Sequence, residues 1–246
     1  MPIAGAYNFR DLGGIKNKDV RFVKWGQLFR TDEMSKLTEE DVEYIASTGL
    51  TTVIDFRSEG EIKGGVTSMI PPSPDILPAT VKNAYNLPIN AGNIFSDEIM
   101  NRIRAGATSE ELAQVMMNSY TEMVTLDDYI AQLKQFFAYL QDQNNLPLSF
   151  HCSGGKDSVG VATMLVLSAL NVDKDIIVND YMLSKQYVSG KYEKYLAMIP
   201  AIAPLVTIEE EYLEAAYKKI DEEYGSMENF LTKTLNVDIQ KMKSLY

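Results

Sequence analysis

The fold is decided by residues 148–170, LSFHCSGGKDSVGVATMLVLSAL. The first four, LSFH, are apolar enough for a short buried strand after Pro147. A turn with two glycines follows, and residues 158–170 are apolar almost all round, which predicts a central buried helix. A strand that leads through a tight loop into a helix favours a bound anion, because loop N–H groups and the helix N-terminus carry partial positive charge. The stretch therefore predicts an anion site within an α/β fold.

Strands and helices also alternate upstream of this stretch. Thr38 precedes EEDVEYIAST and Gly49 closes the pattern, which predicts a capped amphipathic helix. Residues 50–56, LTTVIDF, indicate a buried strand. The Pro-rich residues 69–78 indicate a loop, and the β-like VKNAYNLPI follows it. The alternation predicts an α/β fold with a central, mostly parallel sheet flanked by helices, and with additional helices after Asn171.

Further helices are predicted from their start signals. Ser109 can cap EELAQVMMNSYTEMV, and Asp127 can cap DYIAQLKQFFAYLQDQ, each with apolar residues at three- and four-residue spacing. Thr207 with Glu210 indicates a capping box that opens the helix EEEYLEAAYKKIDEEY. We expect residues 1–246 to form a single domain, since the 246-residue chain has no repeat and no linker-like tract.

The amino-acid composition excludes several classes of function and site. A net charge of −11 repels nucleic acid and anionic membrane surfaces, so we expect no nucleic-acid partner. No apolar run approaches the ~20 residues of a membrane span, and the N-terminus lacks a signal-peptide pattern, so we expect a cytoplasmic protein. The single cysteine excludes an intrachain disulfide, and the single histidine excludes a His-rich zinc site. We expect neither a metal nor another cofactor.

Cys152 is the natural nucleophile of the predicted loop. Its position between strand and helix predicts a lowered thiol pKa, because the loop amides and the helix N-terminus favour thiolate. His151 is its neighbour on a strand, so the two side chains should leave on opposite faces and should not form a nucleophile–base pair. His151 is therefore expected to orient the loop through buried hydrogen bonds. The loop is not a nucleotide-binding P-loop, because Asp157 follows Lys156 where serine or threonine is required.

The chain resembles the cysteine-dependent protein tyrosine phosphatases. The likeness is to the bacterial tyrosine/lipid phosphatase branch, whose loop reads His-Cys-x-x-Gly-Lys-Asp-Arg-Thr-Gly. HCSGGKD matches this loop, and six other segments look like landmarks of that branch in order: NFRDLGG (residues 8–14), LFRTDEMSKLTEED (28–41), TVIDFRSEGE (52–61), YNLPI (85–89), NDYMLSK (179–185) and YLEAAYKKIDEEYGSMENFL (212–231).

The resemblance implies a phosphomonoester hydrolase. Cys152 would attack the phosphate and form a cysteinyl-phosphate, which water would then hydrolyse. Asp157 or Asp55 would protonate the leaving oxygen, although Asp157 can also cap a helix and Asp55 can also hold the end of a strand. The implied substrates are phosphotyrosine or phosphoserine proteins, or phosphoinositides. Phosphate or sulfate is expected to occupy the loop. The phosphate-binding residues would be Ser153, Gly154, Gly155, Lys156, Ser158 and Arg57.

Two residues depart from the family pattern. The family places an arginine six residues after the cysteine, where this chain has Ser158, and a threonine or serine next, where it has Val159. A serine hydroxyl cannot replace the two parallel hydrogen bonds of a guanidinium group. We therefore expect impaired activity, unless another arginine enters the pocket: Arg10, Arg30 or Arg57.

Other interpretations stay open at this point. Natural divergence could have produced a pseudophosphatase that binds phosphorylated ligands without turnover. An engineered trap is less favoured, because engineers usually replace the nucleophile and have no evident reason to change Val159. A rhodanese-like sulfur carrier that uses Cys152 is a third class, disfavoured by the chain length and by the other landmarks.

Overall fold

The sheet of the computed structural model is mixed and mostly parallel. The model describes residues 3–64, 72–89 and 97–246. The strands within these ranges are β1 (Arg10–Asp11), β2 (Leu28–Thr31), β3 (Thr52–Asp55), β4 (Asn83–Asn86) and β5 (Leu148–His151). They pair in the order β1-β2-β5-β3-β4, and only β1 is antiparallel to its neighbour. This confirms the predicted α/β class.

Helices surround the sheet. Those of the described residues are α1 (Glu39–Ser47), α2 (Glu59–Lys63), α3 (Asp97–Arg104), α4 (Ser109–Met123), α5 (Asp127–Leu140), α6 (Asp157–Ala169), α7 (Lys174–Tyr187), α8 (Ser189–Met198), α9 (Ala203–Val206), α10 (Glu210–Tyr224), α11 (Met227–Asn229) and α12 (Ile239–Leu245). None of them is both long and apolar enough to cross a membrane.

The central strand and the central helix are the two halves of the stretch that the sequence singled out. All four residues of β5 are buried, and α6 is buried along nearly its whole length. The register pairs His151 with Thr31 on one side and with Asp55 on the other, so three parallel strands end at the same level. The Cys152 loop therefore leaves the sheet where the ends of β2 and β3 also meet.

The predicted helix starts are partly wrong. Thr108, not Ser109, caps α4, because Thr108 and Glu111 form a capping box with each other's backbone. Asp127 does not cap α5 but is its first residue, and Leu126 precedes it without a side-chain hydrogen bond. Thr207 does not open α10, since its N–H donates to the carbonyl of Ala203 and closes α9.

Other local predictions are confirmed. Thr38 caps α1 through a capping box, and Gly49, with φ +76°, follows its end. The strand predicted over residues 50–56 is shorter and covers Thr52–Asp55. Of the predicted loop over residues 69–78, the described part, residues 72–78, is neither helix nor strand, and residues 69–71 lie outside the described ranges.

Candidate active site

The loop after β5 folds around the sulfur of Cys152. The N–H of Gly155 donates to Cys152 Sγ at 3.2 Å. Gly155 has φ +63°, and a Cβ there would lie 2.5 Å from the carbonyl oxygen of Thr31 at the end of β2. Any other residue at position 155 would therefore push the loop away from the strand. This glycine is what lets a backbone amide reach the sulfur.

The carbonyl group of Gly155 anchors the same loop on its outer side. Asn8 Nδ2 and Arg30 Nη2 each donate to the carbonyl oxygen of Gly155 at 2.8 Å. Because these bonds occupy the carbonyl on the outer side, the amides are free to face inward. Asn8 lies in the NFRDLGG segment, and Arg30 in the LFRTDEM segment.

Asp180 anchors the arginines behind the loop. Its carboxylate accepts from Arg10 Nε at 2.9 Å and from Arg30 Nη1 at 2.8 Å, and all three side chains are buried. Burial alone would raise the pKa of Asp180, but the two guanidinium charges outweigh it and lower that pKa. Burial together with the charge of Arg10 lowers the pKa of Arg30 to about 10. The sequence reasoning missed Asp180, although it lies within the NDYMLSK segment.

Arg57, two residues after the end of β3, donates to two carboxylates and a carbonyl group. Its Nε donates to both oxygens of Asp55 at 3.0 Å, its Nη1 to the carbonyl of Ser73 at 2.9 Å, and its Nη2 to Asp75 at 2.6 Å. Arg10, Arg30 and Arg57 are thus all paired with buried carboxylates in this structure. The expectation that one of them replaces the missing loop arginine finds no support in these contacts.

Lys156 and Asp157 pair with each other. Lys156 Nζ donates to both carboxylate oxygens of Asp157, at 3.0 and 2.7 Å, and to the carbonyl of Leu205 at 2.9 Å. The hydroxyl of Tyr120 donates to Asp157 Oδ1 at 2.9 Å. The cation that the resemblance assigned to the phosphate is therefore neutralised by the neighbouring carboxylate. Tyr120 is a residue that the sequence reasoning missed.

The predicted lowering of the Cys152 pKa is wrong. Burial raises the pKa of this thiol, and the negative charges of Asp157 and Glu61 raise it further. Hydrogen bonds from the Ser158 hydroxyl and the Gly155 N–H oppose the rise but do not overcome it. Position 158 is a serine, which supplies a neutral donor, so no cation at that position offsets the two carboxylates.

Alkylation of Cys152 tests this directly, since it is the only cysteine in the chain. We expect the rate with iodoacetamide to rise with a midpoint above the ordinary thiol pKa of 9.0, because only the thiolate reacts. Glu61→Gln should lower the midpoint by removing a negative charge. N-acetylcysteine is the control for reagent chemistry. A midpoint below that of the free thiol would contradict the assignment.

His151 is buried between two carboxylates. Its Nε2 lies 3.2 Å from Asp75 Oδ2 and its Nδ1 lies 3.8 Å from Asp55 Oδ1. Burial opposes the imidazolium form, but the two negative charges outweigh it and raise the pKa of His151. The three residues offer ligand atoms within 4.8 Å of one another, as a metal site would. However, Arg57 already forms ion pairs with both carboxylates, so a metal ion would have to compete with a guanidinium group there.

The rim of the loop is tied to α2 and α8. Ser153 Oγ donates to Glu61 in α2 at 2.8 Å, and Lys191 in α8 donates to the carbonyl of Ser153 at 2.5 Å. Lys191 also pairs with Asp32 at 2.8 Å and with Glu33 at 3.2 Å. The sequence reasoning missed Lys191, because it is separated from the loop by 38 residues and no local pattern marks it.

Of the predicted site residues, those from Cys152 to Ser158 lie together. Asp55 and Arg57 form their own ion pair, with Nη2 and Oδ2 2.8 Å apart. A lone cysteine lies at the carboxyl end of a central parallel strand, with a backbone amide on its sulfur and a buried helix behind it, as the resemblance to cysteine-dependent phosphatases implies.

Comparison with known proteins gives the family. A sequence model described as the tyrosine phosphatase family matches residues 1–246. The chain belongs to the tyrosine phosphatase family, and with it to the phosphatase class of hydrolases.

Three relatives illustrate the similarity. A candidate tyrosine-protein phosphatase of Cupriavidus necator is 31% identical over 97% of this chain and 85% of its own length. The triple specificity protein phosphatase PtpB of Mycobacterium tuberculosis is 28% identical over 93% of this chain and 91% of its own length. A tyrosine-protein phosphatase of Nostoc commune is 27% identical over 66% of this chain and 49% of its own length.

Proposed function

We propose that this chain hydrolyses phosphomonoesters slowly, through a cysteinyl-phosphate intermediate at Cys152. The observation that carries the proposal is the Gly155 amide directed at Cys152 Sγ, since a loop built around a sulfur in this way also turns amides toward oxygens bound above it. The substrates we propose are phosphotyrosine or phosphoserine proteins, or phosphoinositides. The name of the triple-specificity relative supports this breadth.

The reaction has two steps, formation of the cysteinyl-phosphate and its hydrolysis. The Cys152 thiolate donates its electron pair to phosphorus, an S–P bond forms, and the ester P–O bond breaks. The leaving oxygen takes a proton from a carboxylic acid. Water then attacks phosphorus and gives a proton to that carboxylate, and the S–P bond breaks to release inorganic phosphate and the thiolate. The amides of residues 153–157 would hold the non-bridging oxygens through both steps.

We propose Asp157 rather than Asp55 as the acid. Asp157 is the first residue of α6 and directly follows the Cys152 loop, so its carboxylate lies beside the loop. Asp55 instead accepts from both Nε and Nη2 of Arg57. Both oxygens of Asp55 are thus occupied by the guanidinium group. Asp157 would reach the leaving oxygen once its contact with Lys156 opens.

Because position 158 is a serine and not an arginine, we expect a low rate of phosphate-ester hydrolysis. An arginine that neutralises charge in phosphoryl transfer is worth about 10³–10⁵ in rate. Lys156 cannot supply this cation while it is paired with Asp157. We therefore propose that binding of the phosphate group is retained better than turnover.

Turnover of para-nitrophenyl phosphate tests the proposed function. Cys152→Ser is expected to reduce the wild-type rate to background, because a serine hydroxyl stays protonated where a thiol can ionise and is a weak nucleophile. Circular dichroism of the variant, compared with the wild type, shows that the loss of rate does not come from unfolding. A wild-type rate equal to that of Cys152→Ser would contradict the enzymatic proposal. Persulfide formation with thiosulfate would instead favour a sulfur carrier.

A second candidate function is a pseudophosphatase that binds phosphorylated ligands. Two observations favour it: the raised pKa of Cys152 and the pairing of Arg10, Arg30 and Arg57 with carboxylates. The chemical steps need a thiolate and a guanidinium group free to bind phosphate, and these two features disfavour both. The loop amides that would bind phosphate stay in place. Phosphate binding by a wild-type protein without Cys152-dependent turnover would support this candidate. For either function we propose a single domain over residues 1–246 and a cytoplasmic location.

A further inference from the structure

Tyr192 in α8 lies against the Cys152 loop. A Cβ on Gly154 would lie only 2.8 Å from the Tyr192 hydroxyl oxygen. The same Cβ would lie 3.4 Å from Cγ of Lys156, so the hydroxyl and the lysine stem flank one face of the loop. The glycine at position 154 is what allows the phenol to approach the loop backbone this closely.

The Tyr192 hydroxyl can donate a hydrogen bond beside the loop. The residue is 8% exposed, and none of the hydrogen bonds found among the described residues involves its hydroxyl. Unlike the hydroxyl of Tyr217, which is sealed off without a partner, the Tyr192 oxygen can be reached from solvent. It is therefore able to donate to a group that enters the loop.

The surroundings of the hydroxyl are those of the anion site. Burial raises the pKa of Tyr192, and the charges that act on it include those of Lys191, Asp157 and Cys152. The phenol thus remains a protonated donor within electrostatic reach of the sulfur. Lys191, the preceding residue, donates to the carbonyl of Ser153 and fixes α8 to the loop.

Ser158 leaves a position for such a donor. Its hydroxyl lowers the pKa of the Cys152 thiol, and a serine brings no cation to a bound phosphate group. The oxygens of a bound phosphate group would then have the loop amides on one side and no guanidinium group on the other.

We propose that Tyr192 is a phosphate-binding residue, whose hydroxyl donates a hydrogen bond to a non-bridging oxygen of the phosphate group held by the loop amides. It takes the side of the anion that the family's arginine would hold. The inference rests on the anion-binding part of the proposed function and not on turnover. It makes binding depend on a neutral donor from α8, a helix distant in sequence from the loop.

Inorganic phosphate is the probe, with its dissociation constant measured by isothermal titration calorimetry on the full chain. Tyr192→Phe removes only the hydroxyl and is expected to weaken binding about tenfold, the value of one hydrogen bond to a charged group. Tyr195→Phe, on the same helix and 46% exposed, is the matched control and should bind as the wild type does. Equal affinity of Tyr192→Phe and wild type would overturn the inference, as would a wild type that binds no phosphate.

The same substitution made in a Ser158→Arg protein tests whether Tyr192 takes the place of the family's arginine. In Ser158→Arg the guanidinium group should take over the oxygen, so Tyr192→Phe should cost clearly less than in the wild type. An undiminished cost would overturn the replacement. The inference and the proposed enzymatic activity can fail separately. If Tyr192→Phe loses phosphate affinity and the wild type shows no Cys152-dependent turnover, only the proposed activity is contradicted. If turnover depends on Cys152 and Tyr192→Phe keeps its affinity, only the inference is contradicted.

Discussion

Ser158→Arg is expected to raise the rate of para-nitrophenyl phosphate hydrolysis by at least about 10²-fold, and the gain should require Cys152. The new guanidinium group would supply two parallel charge-assisted hydrogen bonds to the phosphate oxygens. Its charge would also offset Asp157 and Glu61, which raise the pKa of the thiol, so more thiolate would be present at neutral pH. Both effects act in the same direction.

The experiment needs one companion and one control. Ser158→Arg loses the hydroxyl that hydrogen-bonds the sulfur, so the double variant with Val159→Thr should exceed the single one by restoring a hydroxyl. Ser158→Met fills similar volume without charge and should show no gain. All variants are compared by kcat/KM and by thermal unfolding, because position 158 is buried. A folded Ser158→Arg with wild-type activity would contradict the assignment of position 158 as the defect.

Asp180→Asn is expected to destabilise the fold by about 3–5 kcal/mol, the cost of removing one partner from a buried ion pair. Asp180 carries the hydrogen bonds of both Arg10 and Arg30, so its neutralisation leaves two buried guanidinium groups without their counter-charge. Arg30 also holds the carbonyl of Gly155. The loss should therefore reach the Cys152 loop as well as the core.

Urea unfolding measures this effect, and its pH dependence identifies the cause. The pKa of Asp180 is lower in the folded state, so its stabilisation is present above the unfolded-state pKa and is lost as the pH falls through the folded-state pKa. Asp180→Asn should accordingly weaken the acid dependence of stability. Asp175→Asn, an exposed residue in the first turn of the same helix, should cost less than about 1 kcal/mol and keep most of the acid dependence. An Asp180→Asn protein with wild-type stability would show that the arginines find other partners.

The local parts of the fold could be predicted from the sequence. Hydrophobic periodicity located β5 and α6, and cap chemistry located α1, because these signals lie within a few residues of each other. The wrong starts at Ser109 and Asp127 were each off by one residue. Thr207 failed for a different reason: two helices meet there, and its backbone serves the earlier one.

The contacts that complete the site could not be read in the same way. Lys191 and Tyr192 reach the loop from α8, and Asp180 reaches it through two arginines, so no spacing in the sequence marks them. The thiol pKa is a sum of opposing contributions. Its sign depends on Asp157 and Glu61, and the position of Glu61 relative to the sulfur is known only once the chain is folded.

The backbone of the loop is shaped by Gly155 against the Thr31 carbonyl and by the bonds from Asn8 and Arg30, and none of these involves residue 158. The shape of the loop backbone is thus set without the side chain at position 158. Substitutions at this position should therefore alter the chemistry of the site and leave its anion-binding backbone in place.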